Sequence, residues 1–281
     1  MSCQNLNYKF PGRVAEELSA VYYKYIDIVA NEMKNQRRLR WISRISAYMC
    51  LLLITPVVIA HDRPEILKLE IQKQVPVLTA EIDGKPARLL LDTGGGAALA
   101  LRSERMAEDT PVRQLTLQDG KTISLNAVLW KKTSIPEGID GYLGMGWLKQ
   151  YSLVIDYAQG QLRLYPAGNL ATECSANVQS LSMLGTLPYL RLTQDAQPIG
   201  LGLDTGANQN ILKTGSRWEG SAGQILNGLH LQAAGHTLQQ NFRLVNLSVP
   251  FVDGFLGYEF FAGHLVCMDI QSAKLAIRRI P

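Results

Sequence analysis

The sequence predicts an all-β chain of two similar lobes in tandem, and three observations carry that expectation. The first is an internal repeat. Residues 75–95 (VPVLTAEIDGKPARLLLDTGG) match residues 187–207 (LPYLRLTQDAQPIGLGLDTGA) at an offset of 112, aligning Pro76 with Pro188, Pro86 with Pro198 and Asp92-Thr93-Gly94 with Asp204-Thr205-Gly206. Residues 139–165 match 252–277 at an offset of 113, aligning Asp140 with Asp253, Gly144 with Gly257 and Asp156 with Asp269. A period close to a whole small domain means a duplication, not a solenoid. The second observation is short apolar runs bounded by turn residues, as at Val75–Ile82 and Arg88–Leu91 around Asp83-Gly84. The third is a small, polar, proline-bearing stretch, residues 167–178, between the two copies.

In chain order, residues 1–46 form a basic extension and residues 47–60 (AYMCLLLITPVVIA) an apolar run. Fourteen residues are too few to span a bilayer comfortably, which takes about 20. The run suits the apolar core of a secretory signal ending at Val58-Ile59-Ala60, with translation from Met33 giving an ordinary signal peptide. Export to the periplasm is therefore expected, a retained anchor facing the periplasm being the alternative. Val14, Leu18, Val21, Tyr25 and Val29 recur at helical spacing within the extension. Lobe 1 is expected over 66–166 and lobe 2 over 179–281. Hairpins are expected at Gln114–Leu125, turning at Asp119-Gly120, and at Leu229–Gln240, turning near Ala234-Gly235. Short helices are expected at Trp147–Tyr151 and Glu259–Ala262.

Charge separates by position. Of 28 Lys/Arg and 24 Asp/Glu, residues 1–60 hold 8 and 4, leaving 20 of each in residues 61–281. The globular part is neutral, so the net charge of +4 is a topology signal beside the apolar run and gives no reason to expect nucleic acid. A composition of 47% hydrophobic and 19% charged residues is that of a globular chain.

The two Asp-Thr-Gly triplets carry the chemistry. Each follows an apolar strand (LLLDTG, LGLDTG), and each has an apolar-apolar-Gly segment downstream, Tyr142-Leu143-Gly144 or Phe255-Leu256-Gly257. A lone triplet arises by chance in about one chain in twenty of this length; two in register do not. This pattern resembles the retropepsin-like aspartic proteases, over residues 66–281, in a single-chain form with both lobes fused. The resemblance implies two acid-protease β-barrel lobes related by a pseudo-twofold, with a cleft between them, in a monomer that is a fused pseudo-dimer. It implies Asp92 and Asp204 as the catalytic pair of an endopeptidase acting on an extended polypeptide, needing neither cofactor nor metal. Two carboxyls about 3 Å apart share one proton, which lets one activate a water while the other polarises the substrate carbonyl. It further implies that Thr93 and Thr205 hydrogen-bond across the lobes, that Gly94 and Gly206 permit the sharp turns, and that Gly144 and Gly257 support the loops from behind.

Two departures keep a second expectation open, that of a catalytically weak or inactive protease-fold module that binds peptides or proteins. Asn208 supplies the small polar residue usual after the triplet, whereas its counterpart is Gly96. The flap that should close the cleft is also not obvious: the hairpin at Leu115–Leu125 is one candidate, and Trp218 within Ser216–Gly223 offers a second cover or else a packing residue. The four histidines are scattered, and no cysteine or Cys/His cluster has metal spacing. Of Cys3, Cys50, Cys174 and Cys267, the last two survive cleavage; they either pair or stay as buried thiols. Asp140 and Asp253 are expected to cap turns, and Asp156 and Asp269 to face solvent.

Overall fold

The computed structural model describes residues 63–106, 111–130, 137–215, 217–233 and 236–280. The basic extension, the apolar run 47–60 and the turn at 234–235 lie outside the described residues. Among the described residues no helix is long and apolar enough to cross a membrane.

The strands run β1 (Glu65–Lys68), β2 (Glu70–Gln72), β3 (Val75–Ile82), β4 (Lys85–Asp92), β5 (Leu99–Leu101), β6 (Val112–Thr116), β7 (Thr122–Leu129) and β8 (Gly141–Gly144). Helix α1 (Met145–Leu148), β9 (Tyr151–Asp156) and β10 (Gln161–Pro166) complete the first half. The second half holds β11 (Val178–Ser180), β12 (Ser182–Leu184), β13 (Leu187–Gln194), β14 (Gln197–Leu203), β15 (Ile211–Lys213), β16 (Ile225–Ala233), β17 (His236–Val245) and β18 (Gly254–Leu256). Helix α2 (Tyr258–Gly263), β19 (His264–Asp269) and β20 (Lys274–Arg279) follow. The first helix lies two to three residues earlier than expected because Tyr151 already belongs to β9.

Both halves close the same way. The order β2-β3-β4-β8-β5-β7-β6 has an extra β3–β6 pairing, and β12-β13-β14-β18-β15-β17-β16 has an extra β13–β16 pairing. Each closure makes a six-stranded barrel with one strand attached outside. Alternation builds the interior: Leu89 and Leu91 of β4 point into the main core, while Leu90 joins Val75, Val77 and Ile139 in a separate outer cluster. The β3–β4 hairpin turns through Asp83 and Gly84 at φ 52° and 73°, and β13–β14 through Asp195 and Ala196 at 49° and 62°. Positive φ at both central residues is the two-residue turn whose twist suits adjacent strands.

A third sheet, β1-β10-β9-β19-β20-β11, is built from both halves. At its centre β9 pairs antiparallel with β19, from Val266↔Ile155 to Asp269↔Ser152. All six residues of β19 are buried, as are the last five of β9, so the seam between the halves is itself core. Cys174, in the short turn before β11, is disulfide-bonded to Cys267 of β19, which settles the cysteine pair. Asp156 and Asp269, expected to face solvent, are 7% and 0% exposed. Each ends a strand of this sheet and accepts a turn N–H, Gln159 N at 3.0 Å and Ser272 N at 2.6 Å, so its polar demand is met inside.

Candidate active site

Each candidate carboxylate sits where a barrel strand breaks off. Strand β8 comes after β5 in the chain yet lies between β4 and β5, parallel to the first and antiparallel to the second. Strand β18 does the same between β14 and β15. The loops Asp92–Ala98 and Asp204–Asn210 therefore bulge from one barrel end, each with an apolar-apolar-Gly strand beside it.

Glycine is required there by close approach. A Cβ on Gly144 would stand 2.5 Å from Gly95 O and 2.6 Å from Ala97 O; one on Gly257 would strike Gln209 O and lie 2.7 Å from Ala207 O. The bare Cα lets each strand abut a loop closely enough to hydrogen-bond it. Met145 N donates to Gly95 O at 2.8 Å and, in the matching place, Tyr258 N to Ala207 O at 3.0 Å.

The loops meet through their threonines, both fully buried. Thr93 Oγ1 donates to Leu203 O at 2.7 Å and accepts from Thr205 N at 3.0 Å. Thr205 Oγ1 donates to Leu91 O at 2.7 Å and accepts from Thr93 N at 3.0 Å. Each hydroxyl thus spends its donor and an acceptor on the opposite lobe.

This clasp brings the carboxylates together. A Cβ on Gly94 would lie 2.6 Å from Asp204 Cγ, and one on Gly206 would lie 2.8 Å from Asp92 Oδ1 and 3.2 Å from Asp204 Oδ1. A single position within contact of both Oδ1 atoms means that the two groups face one small space. Asp92 Oδ1 accepts Gly95 N at 2.8 Å and Asp204 Oδ1 accepts Gly206 N at 2.9 Å. Both aspartates are half-buried.

Other expected residues fall differently. Asn208 is exposed. The buried amide is Asn210, missed in the sequence, whose Oδ1 accepts Gly257 N at 2.7 Å while Nδ2 donates to Gln240 Oε1 at 2.9 Å. Opposite Gly96 stands lobe 2 itself: a Cβ there would be 2.7 Å from Thr186 Oγ1. Asp140 and Asp253 bridge strands, accepting Arg88 N and Gly200 N, each at 2.8 Å.

Neither flap candidate reaches the pair. The β6–β7 hairpin is held at its tip by β1, with Gln118 exchanging hydrogen bonds with Lys68 and Lys121 pairing with Glu65. Glu81 of β3 pairs with Thr116 on one side and Pro86 on the other, six residues before Asp92. At about 3.3 Å per residue the tip lies about 20 Å from that carboxylate. Trp218 is buried and donates Nε1 to Gln194 Oε1 at 3.1 Å, at the hairpin end of β14 remote from Asp204. Turn signals reveal a hairpin but not the barrel end it occupies.

Two tyrosines join the site, Tyr142 from the apolar-apolar-Gly segment and Tyr157 with no sequence signal. Tyr142 lies against Trp130 edge-to-face at 5.4 Å, and burial, then the Asp92 charge, raises its hydroxyl above the usual range. Tyr157, after β9, is buried beneath the pair, with its hydroxyl 3.4 Å from Thr205 O. Among the described residues no group of three or more His, Cys, Asp or Glu side chains is placed to hold a metal.

No family model and no curated protein matches the chain. Solved structures do. The aspartic proteinase from Irpex lacteus superposes at a TM-score of 0.54 and 11% identity, covering 77% of this chain and 97% of that one. Basic 7S globulin from soybean superposes at 0.51 and 9% identity, covering 76% and 94%. At such identities the likeness is one of fold. By its two closed barrels, their shared seam and these likenesses, the chain has the twin-lobe fold of the aspartic proteinases.

Proposed function

We propose that the chain is an aspartic-type endopeptidase in which Asp92 and Asp204 activate one water against a peptide bond. The observation that carries this is the pair of carboxylates from duplicated loops facing one space, behind a buried reciprocal threonine clasp. The ionised carboxylate takes a proton from water as its oxygen bonds to the carbonyl carbon. The protonated one hydrogen-bonds the carbonyl oxygen, and the carboxyl that took the water's proton passes it to the departing nitrogen as the C–N bond breaks. An extended polypeptide lying between the lobes is the substrate this arrangement suits. The buried Cys174–Cys267 disulfide supports work in an oxidising compartment, the periplasm or the periplasmic face of a membrane.

The test is cleavage of a peptide library across acidic to neutral pH by the parent protein, Asp92→Asn and Asp204→Asn. Either substitution alone is expected to lower turnover by about 10²–10⁴-fold or more. Near-parent activity in either variant would exclude a cooperating pair.

A second reading, a peptide-binding module without turnover, is favoured by the anchoring of the β6–β7 hairpin away from the site. One neighbour of the same fold is named a globulin and not a proteinase, which is in keeping with this reading. Peptides bound but recovered intact by the parent protein would select this reading.

A further inference from the structure

The threonine clasp repeats between the lobes, but the carboxylates take different main-chain donors, Gly95 N three residues on from Asp92 and Gly206 N two residues on from Asp204. A buried tyrosine also lies under the second loop with no counterpart under the first. Tyr157 follows Asp156 at the end of β9, and the matching residue after Asp269 is Ile270. Its ring stacks on Phe261 at 5.5 Å and lies 6.3 Å from the ring of Tyr258, both on α2. The chain therefore reaches from the first half under the loop of the second. There its hydroxyl meets Thr205 O at 3.4 Å, a long and therefore weak hydrogen bond.

That carbonyl belongs to the peptide whose N–H is Gly206 N, the donor to Asp204 Oδ1 at 2.9 Å. A hydrogen bond accepted at a peptide oxygen polarises the same peptide's N–H, and such chains strengthen one another by about 10–30% per bond. We infer that Tyr157 is a positioning residue that makes the pair unequal: acting through the Thr205–Gly206 peptide, it favours the ionised form of Asp204 and leaves the shared proton on Asp92. This rests on the proposed reading of Asp92 and Asp204 as one proton-sharing pair.

The surroundings bear on the inference. Burial, then the charges of Asp204 and Asp92, and Tyr258 hold the Tyr157 hydroxyl well above the ordinary tyrosine range. It stays protonated, and so remains a donor, wherever carboxylates titrate. Asp204 is faced by Asp92 across the gap. Tyr142 stands beside Asp92 on β8, and Tyr258 approaches from α2. Glu259 of α2 accepts Asn210 N, and Arg243 of β17 donates to Gln209 Oε1, both on the Asp204 loop. Tyr157→Phe changes none of these partners and keeps the ring on Phe261.

The experiment is an NMR titration of protein carrying ¹³C at the aspartate carboxyls, for the parent and for Tyr157→Phe, beside the pH profile of kcat/KM. In the parent, Asp204 is expected to titrate below Asp92. In the variant, its midpoint should rise by a few tenths of a pH unit, with the acid limb of kcat/KM moving equally and KM unchanged. An unmoved Asp204 midpoint would overturn the inference, and so would the reverse order in the parent, which decides the matter even if the variant folds poorly. The carboxyl titration needs no turnover. The expected shift without peptide cleavage would retain the relay and reject the peptidase reading; cleavage without the shift would reject the relay alone.

Discussion

In the first lobe the residues after the carboxylate are Thr-Gly-Gly-Gly-Ala-Ala; in the second they are Thr-Gly-Ala-Asn-Gln-Asn. The first loop is held to its supporting strand by main chain, Gly144 N donating to Ala98 O at 3.1 Å. The second uses a side chain at the same place, Asn210 Oδ1 receiving Gly257 N, and adds a tie to β17, where Arg243 Nε donates to Gln209 Oε1 at 2.8 Å. Both nevertheless place the first helical N–H after the supporting strand, Met145 N or Tyr258 N, on the loop carbonyl three residues after the aspartate. The carboxylate position is thus set by strand, glycine and clasp, and the loop side chains are free to differ.

The largest effect should come from what the lobes share. Gly144→Ala and Gly257→Ala each drive a Cβ into main-chain oxygens of the adjoining loop. Each is expected to cost about 3 kcal/mol in urea unfolding and to reduce turnover alike. A tolerated alanine in either lobe would break the parallel. Next comes the feature lobe 2 has alone. Asn210→Ala leaves the buried Gly257 N–H without its acceptor, and a loss of about 2 kcal/mol is expected; a loss below about 0.5 kcal/mol would mean that the amide does not hold this loop. The smallest effect has opposite signs at matched positions before β8 and β18. Gly138 has φ +74°, and its counterpart Phe251 holds φ 66° with 83% of its surface exposed. Gly138→Ala should destabilise by about 1 kcal/mol and Phe251→Gly should stabilise by a comparable or smaller amount, read as paired shifts in thermal midpoint. Equal signs would show that Phe251 makes contacts that offset its strain.

The duplicated triplets were legible because they combine a rare residue string, apolar lead-ins and one offset. Strand β3 was legible to the residue from its apolar run and the following Asp-Gly turn. Pairing partners were not. Strands β9 and β19 are apolar on both faces, so nothing in either names the other as its neighbour. Asp156 and Asp269 misled for a related reason: single charges in strands are usually exposed, and only the fold supplies their internal partners, the turn N–H groups with Arg163 for Asp156 and Gly168 N for Asp269. Asn210 and Tyr157 acquire meaning only from long-range contacts, to Gly257 and to Thr205.

The antiparallel seam of β9 on β19 has a consequence for how such a molecule behaves on dilution. A two-chain catalyst loses its centre as its subunits separate, and its rate then falls faster than its concentration. Here both candidate carboxylates travel on one polypeptide, so, under the proposed peptidase reading, specific activity is expected to hold constant as the protein becomes scarce. Each half is also separately encoded, which lets one wall of the cleft change by mutation without imposing the same change on the other.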